Sequence, residues 1–292
     1  MRRPSGVVPF AAAVAALVTL ASSVPAQQDP EAIRRSFLLT VPTRAPGGPS
    51  QFFRGAPGTN TGTPLAFGPG MGDFFVGFGY QANIRGIKLP NGTFTDNGDS
   101  DGSASFGFGL GNATTAIGFE TVVTSLSTVR SGFFNRTAFS FQAYRNLKSN
   151  AAIAIGTENL FITDGSSDAG DATYYGVGSY IWQLKPDQMG GMAKAITLSG
   201  GVGNGRFRFI DDFNEDKKTI NVFGSASVLF HEQISGIVDW TGQDLNVGVS
   251  FVPLKQFPVS ITPALADLTG SASGSARFIL SAGVGMHWDW NR

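Results

Sequence analysis

From residue 73 onward, large apolar residues recur at every second position, in runs broken by glycine, asparagine and aspartate. In the first run Phe74, Val76, Phe78, Tyr80 and Ala82 alternate with Phe75, Gly77, Gly79, Gln81 and Asn83. In the last, Phe278, Leu280, Ala282, Val284, Met286 and Trp288 alternate with Ile279, Ser281, Gly283, Gly285 and His287. A period of two belongs to a β-strand whose two faces meet different surroundings. The same pattern predicts strands over 103–110, 114–123, 137–144, 151–160, 173–184, 193–203, 219–230, 234–241, 245–253 and 259–266, before the final one at 277–288. That makes about twelve strands, each near the ~9–11 residues that a tilted strand needs to span a bilayer. The run 173–184 is the least clean, because Tyr175, Val177 and Ile181 oppose Tyr174, Tyr180 and Trp182. Pro263 lacks an N–H and predicts a bulge or an early strand end.

The connections alternate in length. Short turns are expected at 111–113, 146–150, 185–192, 231–233 and 254–257. Longer loops are expected at 83–102, 124–136, 161–172, 204–218 and 267–276, with a short exception at 242–244. Short turns on one rim and long loops on the other mark a barrel that crosses an outer membrane. In lipid every backbone N–H and C=O must be paired, and strands achieve that only as a closed sheet.

The last stretch, 276–290, ends on an aromatic, Trp290, two residues from the terminus. It resembles the closing strand of a bacterial outer-membrane β-barrel, although Asn291 and Arg292 follow the aromatic. The resemblance covers about residues 72–290. It implies an all-β fold, a single transmembrane antiparallel β-barrel of about 12 strands, set among outer-membrane lipid and lipopolysaccharide. It also implies recognition by the barrel-assembly machinery through the C-terminal strand. The run Asp239-Trp240-Thr241-Gly242-Gln243-Asp244-Leu245-Asn246-Val247-Gly248 resembles barrels associated with exopolysaccharide export.

Ahead of the alternating region, Arg2 and Arg3, the apolar run 7–20 and Val24-Pro25-Ala26 read as a secretory signal over residues 1–26, cleaved on export. Asp29-Pro30-Glu31 is a helix start, and Pro42, Pro46, Gly47, Gly48 and Pro49 end whatever follows it. Residues 27–71 then form a periplasmic or lumenal segment. Two alternatives stand for it, a plug inside the barrel and an irregular leader outside. Residues 72–292 form the barrel.

Composition narrows the chemistry. The chain has no cysteine, which excludes disulfides and thiolate chemistry. Its 21 basic and 21 acidic residues balance until the signal removes two arginines. No basic patch interleaved with aromatics points to nucleic acid. The two histidines, His231 and His287, lack partners at metal-ligand spacing, so no metal, cofactor or enzymatic activity is expected. Gly200-Gly201-Val202-Gly203-Asn204-Gly205 lacks the βαβ context of a nucleotide loop. Asn97, Asp99 and Asp101 match the first half of a calcium loop, but Phe108 stands where the bidentate acid is due, leaving at most a weak cation-binding loop.

Three carboxylates, Glu120, Glu158 and Asp239, share the small or polar parity of upward strands. Counted from the expected turns they should lie at a similar depth, with Glu120 and Glu158 about 10 Å apart. They are candidates for an acidic constriction that favours small cations. Bulky Phe75, Tyr144, Phe223 and Leu229 are expected to fill part of the bore. Tyr80, Tyr180, Trp182, Trp240, Trp288 and Trp290 are candidates for the interfacial aromatic girdles. The expected function is a narrow porin-like channel for small hydrophilic solutes or ions. The alternative is a non-conducting structural or assembly barrel associated with surface polysaccharide export.

Overall fold

A computed structural model describes residues 56–82, 91, 93, 100–129, 132–148, 150–163, 172–184, 191–254, 259–271 and 274–288. The expected signal and the helix start at Asp29 fall outside these residues, as do Asn97, Asp99 and Trp290.

The strands are β1 (Asp73–Gln81), β2 (Asp101–Gly111), β3 (Gly118–Leu126), β4 (Arg136–Lys148), β5 (Ala151–Ile162) and β6 (Thr173–Gln183). They continue as β7 (Ala195–Gly203), β8 (Asn221–His231), β9 (Ile234–Trp240), β10 (Leu245–Phe251), β11 (Val259–Ala266) and β12 (Arg277–His287). Each pairs antiparallel with its neighbours in sequence, and β1 pairs with β12 from Asp73↔His287 to Gln81↔Ile279, closing a 12-strand barrel. Closure leaves no edge strand with unpaired backbone groups.

Two local expectations are corrected. β3 begins at Gly118, four residues later than the pattern suggested, because the Asn112 side chain captures the N–H groups of Thr114 and Thr115 in a turn. Pro263 neither bulges nor ends β11. It stays in register opposite Leu280, and the gap left by its missing N–H falls on the other side, where β10 and β11 pair at Gly248↔Ala264 and next at Phe251↔Ile261.

One parity points outward around the whole wall. Phe78, Phe106, Phe119, Ile155, Val202, Phe230, Val249 and Phe278 are exposed there. Since β1 starts at the short-turn rim, strand direction sorts the girdle candidates. Tyr80 and Trp240 end upward strands and sit near the long-loop rim, joined by Tyr174, which the pattern did not single out. Tyr180, Trp182 and Trp288 sit near the short-turn rim. The mixed parity of β6 has a direct cause: Tyr175, Val177 and Ile181 face inward, where they join an apolar cluster with Ala66, Phe67, Tyr144, Ala152, Ala154, Phe207 and Phe223.

Candidate functional site in the barrel lumen

The lumen is built by three contributors: the wall, the stretch 58–70 ahead of β1, and the loop between β7 and β8. Residues 55–72 carry no charged side chain and are rich in Gly, Pro and Thr. Such a stretch can lie against a polar wall only if side chains satisfy its backbone.

They do so along its length. At the short-turn end Gly58 donates its N–H to Ser250 Oγ (2.7 Å) and accepts from Ser235 Oγ (2.5 Å). The chain then rises to Asp239, near the long-loop end of β9. There the N–H groups of Thr61, Gly62 and Thr63 all donate to Oδ2 of that carboxylate, at 3.0, 3.0 and 3.1 Å, and the Thr63 hydroxyl adds a fourth donor at 3.0 Å. It descends past Gln142, whose Nε2 donates to the Leu65 carbonyl (3.0 Å), and past Ser179 Oγ, which accepts from Ala66 N–H (2.9 Å). Lower still, the Tyr144 hydroxyl donates to the Pro69 carbonyl, and Met71 N–H reaches Gly111 O at the foot of β2. The result is an arch inside the barrel, standing on the short-turn rim with its apex on Asp239.

Gly109 and Gly118 let the descending limb approach the wall. A Cβ on Gly109 would overlap the Pro69 carbonyl, and one on Gly118 would overlap the Tyr144 ring.

The third contributor is Arg206, on a 3-10 turn at Gly205–Phe207. Its guanidinium makes a two-pronged ion pair with Glu158 through Nε and Nη2, and donates from Nη1 to the Gly62 carbonyl at the arch apex (2.6 Å). A planar fork suits a carboxylate and a carbonyl at once. Next to it Phe207 is fully buried (0% exposed), stacked on Phe223 at 4.2 Å and edge-on to Tyr175. The loop continues through a short helix, α1 (Ile210–Asn214), and Arg208 ties it to Lys217 O (2.8 Å) and Asp216.

The three carboxylates of the sequence therefore have different surroundings. Asp239 is 0% exposed beneath the arch apex, and Glu158 is held by Arg206. Glu120 faces the lumen between Gly109 and Gln142, half-buried. Their expected common depth is corrected: Glu120 is the third residue of β3, Glu158 the eighth of β5 and Asp239 the sixth of β9. The late start of β3 lowers Glu120 toward the short-turn rim. Asp101, from the expected cation loop, opens β2 opposite Gln81 and accepts from its neighbour Gly102 N–H. Among the described residues no three acidic or histidine side chains gather as a metal site. Sequence reasoning missed Arg206 and the Thr61–Thr63 backbone, and the one available signal was the uncharged run 55–72.

The arch covers one side of the lumen. The inward hydroxyls of β6 to β10 are buried, among them Ser179, Ser199, Ser225, Ser227, Ser235 and Ser250. On β1 to β3, β11 and β12 some inward positions are more open, although Gly107, Gly109, Thr262, Ala264, Ala266 and Gly285 are buried there as well. Gly77, Gly79, Ser103, Ser105, Thr124, Ser260 and Gly283 are half-buried, and Ser281 is exposed. At one end of that side Arg277 bridges Gln81 Oε1 and Asp244 Oδ2, each at 3.0 Å. At the other His287 meets Asp73 at 2.8 Å.

No protein-family model matches the chain, and no curated protein matches it. Among solved structures, an outer membrane channel from Pseudomonas putida F1 is similar at 12% identity and a TM-score of 0.46, covering 79% of this chain and 100% of that one.

Proposed function

We propose that the chain is a narrow outer-membrane channel, passing small hydrophilic solutes and ions along the side of the lumen that the arch leaves free. One observation carries this reading. Part of the lumenal face of β1 to β3, β11 and β12, from Gly79, Ser103, Ser105 and Thr124 to Ser260 and Ser281, carries glycine and hydroxyl positions that stay solvent-accessible, opposite a hydroxyl-bearing face that is covered. The outward apolar belt with aromatics at both rims suits lipid, with lipopolysaccharide around the long-loop rim.

Glu120 gives the free side its charge preference. Arg206 neutralises Glu158, and the arch donors saturate one oxygen of Asp239. Glu120 is a half-buried lumenal carboxylate on the border of the open side. A fixed negative charge in a narrow bore favours cations over anions.

The test is single-channel recording in planar bilayers across a KCl gradient. Wild type should conduct in small steps with a reversal potential favouring K⁺. Glu120→Gln should lose most of that preference. High salt should weaken it in wild type, since the Debye length falls to about 3 Å at 1 M. Absence of any conductance would favour the second reading, a structural barrel sealed by the arch, which the packed Phe67–Phe207–Phe223 side of the lumen supports.

A further inference from the structure

The arch and its supports are built as a device that opens. The described part of the arch forms no β-ladder with the wall, and its polar contacts to the wall and to Arg206 run through its own backbone, with the Thr63 hydroxyl on Asp239 added. Each of these can be exchanged for water without breaking the barrel's own pairing. The wall beneath it has the character of a water-facing surface. Ser179 and Ser199 bond each other at 2.8 Å, as Ser250 and Thr262 do at 2.7 Å. Thr61 Oγ1, Thr197 Oγ1 and Asp239 Oδ1 are buried there with no partner among the described residues. A permanent core seldom leaves such atoms unsatisfied, whereas a surface that is intermittently wet satisfies them with solvent. Finally, the group that ties the apex to the wall is carried by a loop on the long-loop rim, so displacing that loop removes Arg206 from Gly62 and Glu158 together.

We propose that the 58–70 arch is a displaceable gate and that Arg206 is its latch. When the Arg206–Glu158 pair opens, the arch leaves Asp239, and the serine-lined wall of β6 to β10 becomes part of the bore. The external loop thereby controls how much of the lumen is open, from the face opposite the one at which the arch enters.

The absence of cysteine makes the test clean, because any thiol is an introduced one. Ser199→Cys places a probe on the wall strand between the two arch contacts at Ser179 and Asp239. In the reconstituted full chain, maleimide labelling should be slow. Adding Arg206→Gln, or Asp239→Ala, should raise the labelling rate about tenfold or more, since each removes hydrogen bonds to a charged group. Arg206→Gln leaves the Asp239 carboxylate and its backbone donors in place, so it carries the test where Asp239→Ala fails to assemble.

A second variant locks the gate. A Cβ on Gly58 would lie 3.6 Å from Ser250 Cβ, within the range of a disulfide. In Arg206→Gln chains carrying Gly58→Cys and Ser250→Cys, oxidation should abolish the extra conductance of the unlatched pore, and reduction should restore it. Labelling reads the arch and current reads the pore, so the two proposals fail separately. Fast labelling without added current upholds the gate and counts against conduction. Slow labelling in both unlatched variants, with the barrel intact by heat-modifiability, overturns the gate. Fast labelling in wild type overturns the latch.

Discussion

Arginine placed along β12 should report membrane depth residue by residue. Ala282 is the sixth of the strand's eleven residues, facing outward between Phe78 on β1 and Ile261 on β11. At about 3.4 Å per residue it lies roughly 17 Å along the strand from either end. A tilt of about 40° reduces that to roughly 13 Å of depth, beyond what an arginine head group can recover by snorkelling. Ala282→Arg should therefore carry the mid-bilayer cost of about 2–4 kcal/mol, a shift of roughly 30- to 1000-fold in the folded population. Val284, between Val76 and Val259, is three residues from the lower end, roughly 8 Å deep by the same arithmetic. Its head group reaches the interface, so Val284→Arg should cost about 0–1 kcal/mol. Ser281 points into the free side of the lumen and is exposed, so Ser281→Arg should stay within about 0.5 kcal/mol. The assay is the urea midpoint of each variant refolded into vesicles, with the unboiled compact gel band as the measure of assembly. The expected order of damage is Ala282, then Val284, then Ser281. Equal damage at Ala282 and Ser281 would refute the parity, and equal damage at Ala282 and Val284 would refute the depth.

Two further outcomes follow from packing. Gly109→Ala forces a Cβ onto the Pro69 backbone and should cost about 1–3 kcal/mol as overpacking, whereas Gly200→Ala meets nothing within 4 Å and should stay within about 0.5 kcal/mol; similar urea midpoints would show that the descending limb does not press on β2. Phe207→Ala removes the ring stacked on Phe223 and should weaken the seating of the β7–β8 loop by up to about 3–5 kcal/mol. Its readout is faster trypsin cleavage after the exposed Lys217 and Lys218, with the barrel band unchanged, and an unchanged cleavage rate would mean that Phe207 does not anchor the loop.

The barrel was legible because its signal is local. Side chains alternate on any strand, and lipid on one face demands apolar residues there regardless of which strand is the neighbour. The run Phe278 to Trp288 therefore declared its outward parity without a partner, and the β11 bounds at 259–266 needed no correction. Even the ambiguity at 173–184 was a true signal, since aromatics on both parities meant apolar surroundings on both sides of β6. Where β3 starts was less legible, because one Asn112 side chain outweighed the alternation.

The lumen was decided elsewhere. Asp239 and Thr63 are 176 positions apart in sequence, and Arg206 reaches Gly62 across 144. Backbone N–H groups carry no residue identity, so no composition or spacing announces that Thr61, Gly62 and Thr63 will share one carboxylate. The sequence determined that Glu158 and Asp239 face inward. The tertiary structure alone decided that Glu158 meets a guanidinium and Asp239 a turn of backbone while Glu120, among the described residues, meets neither, because inward residues interact with whatever the chain returns to the lumen, and that return is set by closure of the whole sheet.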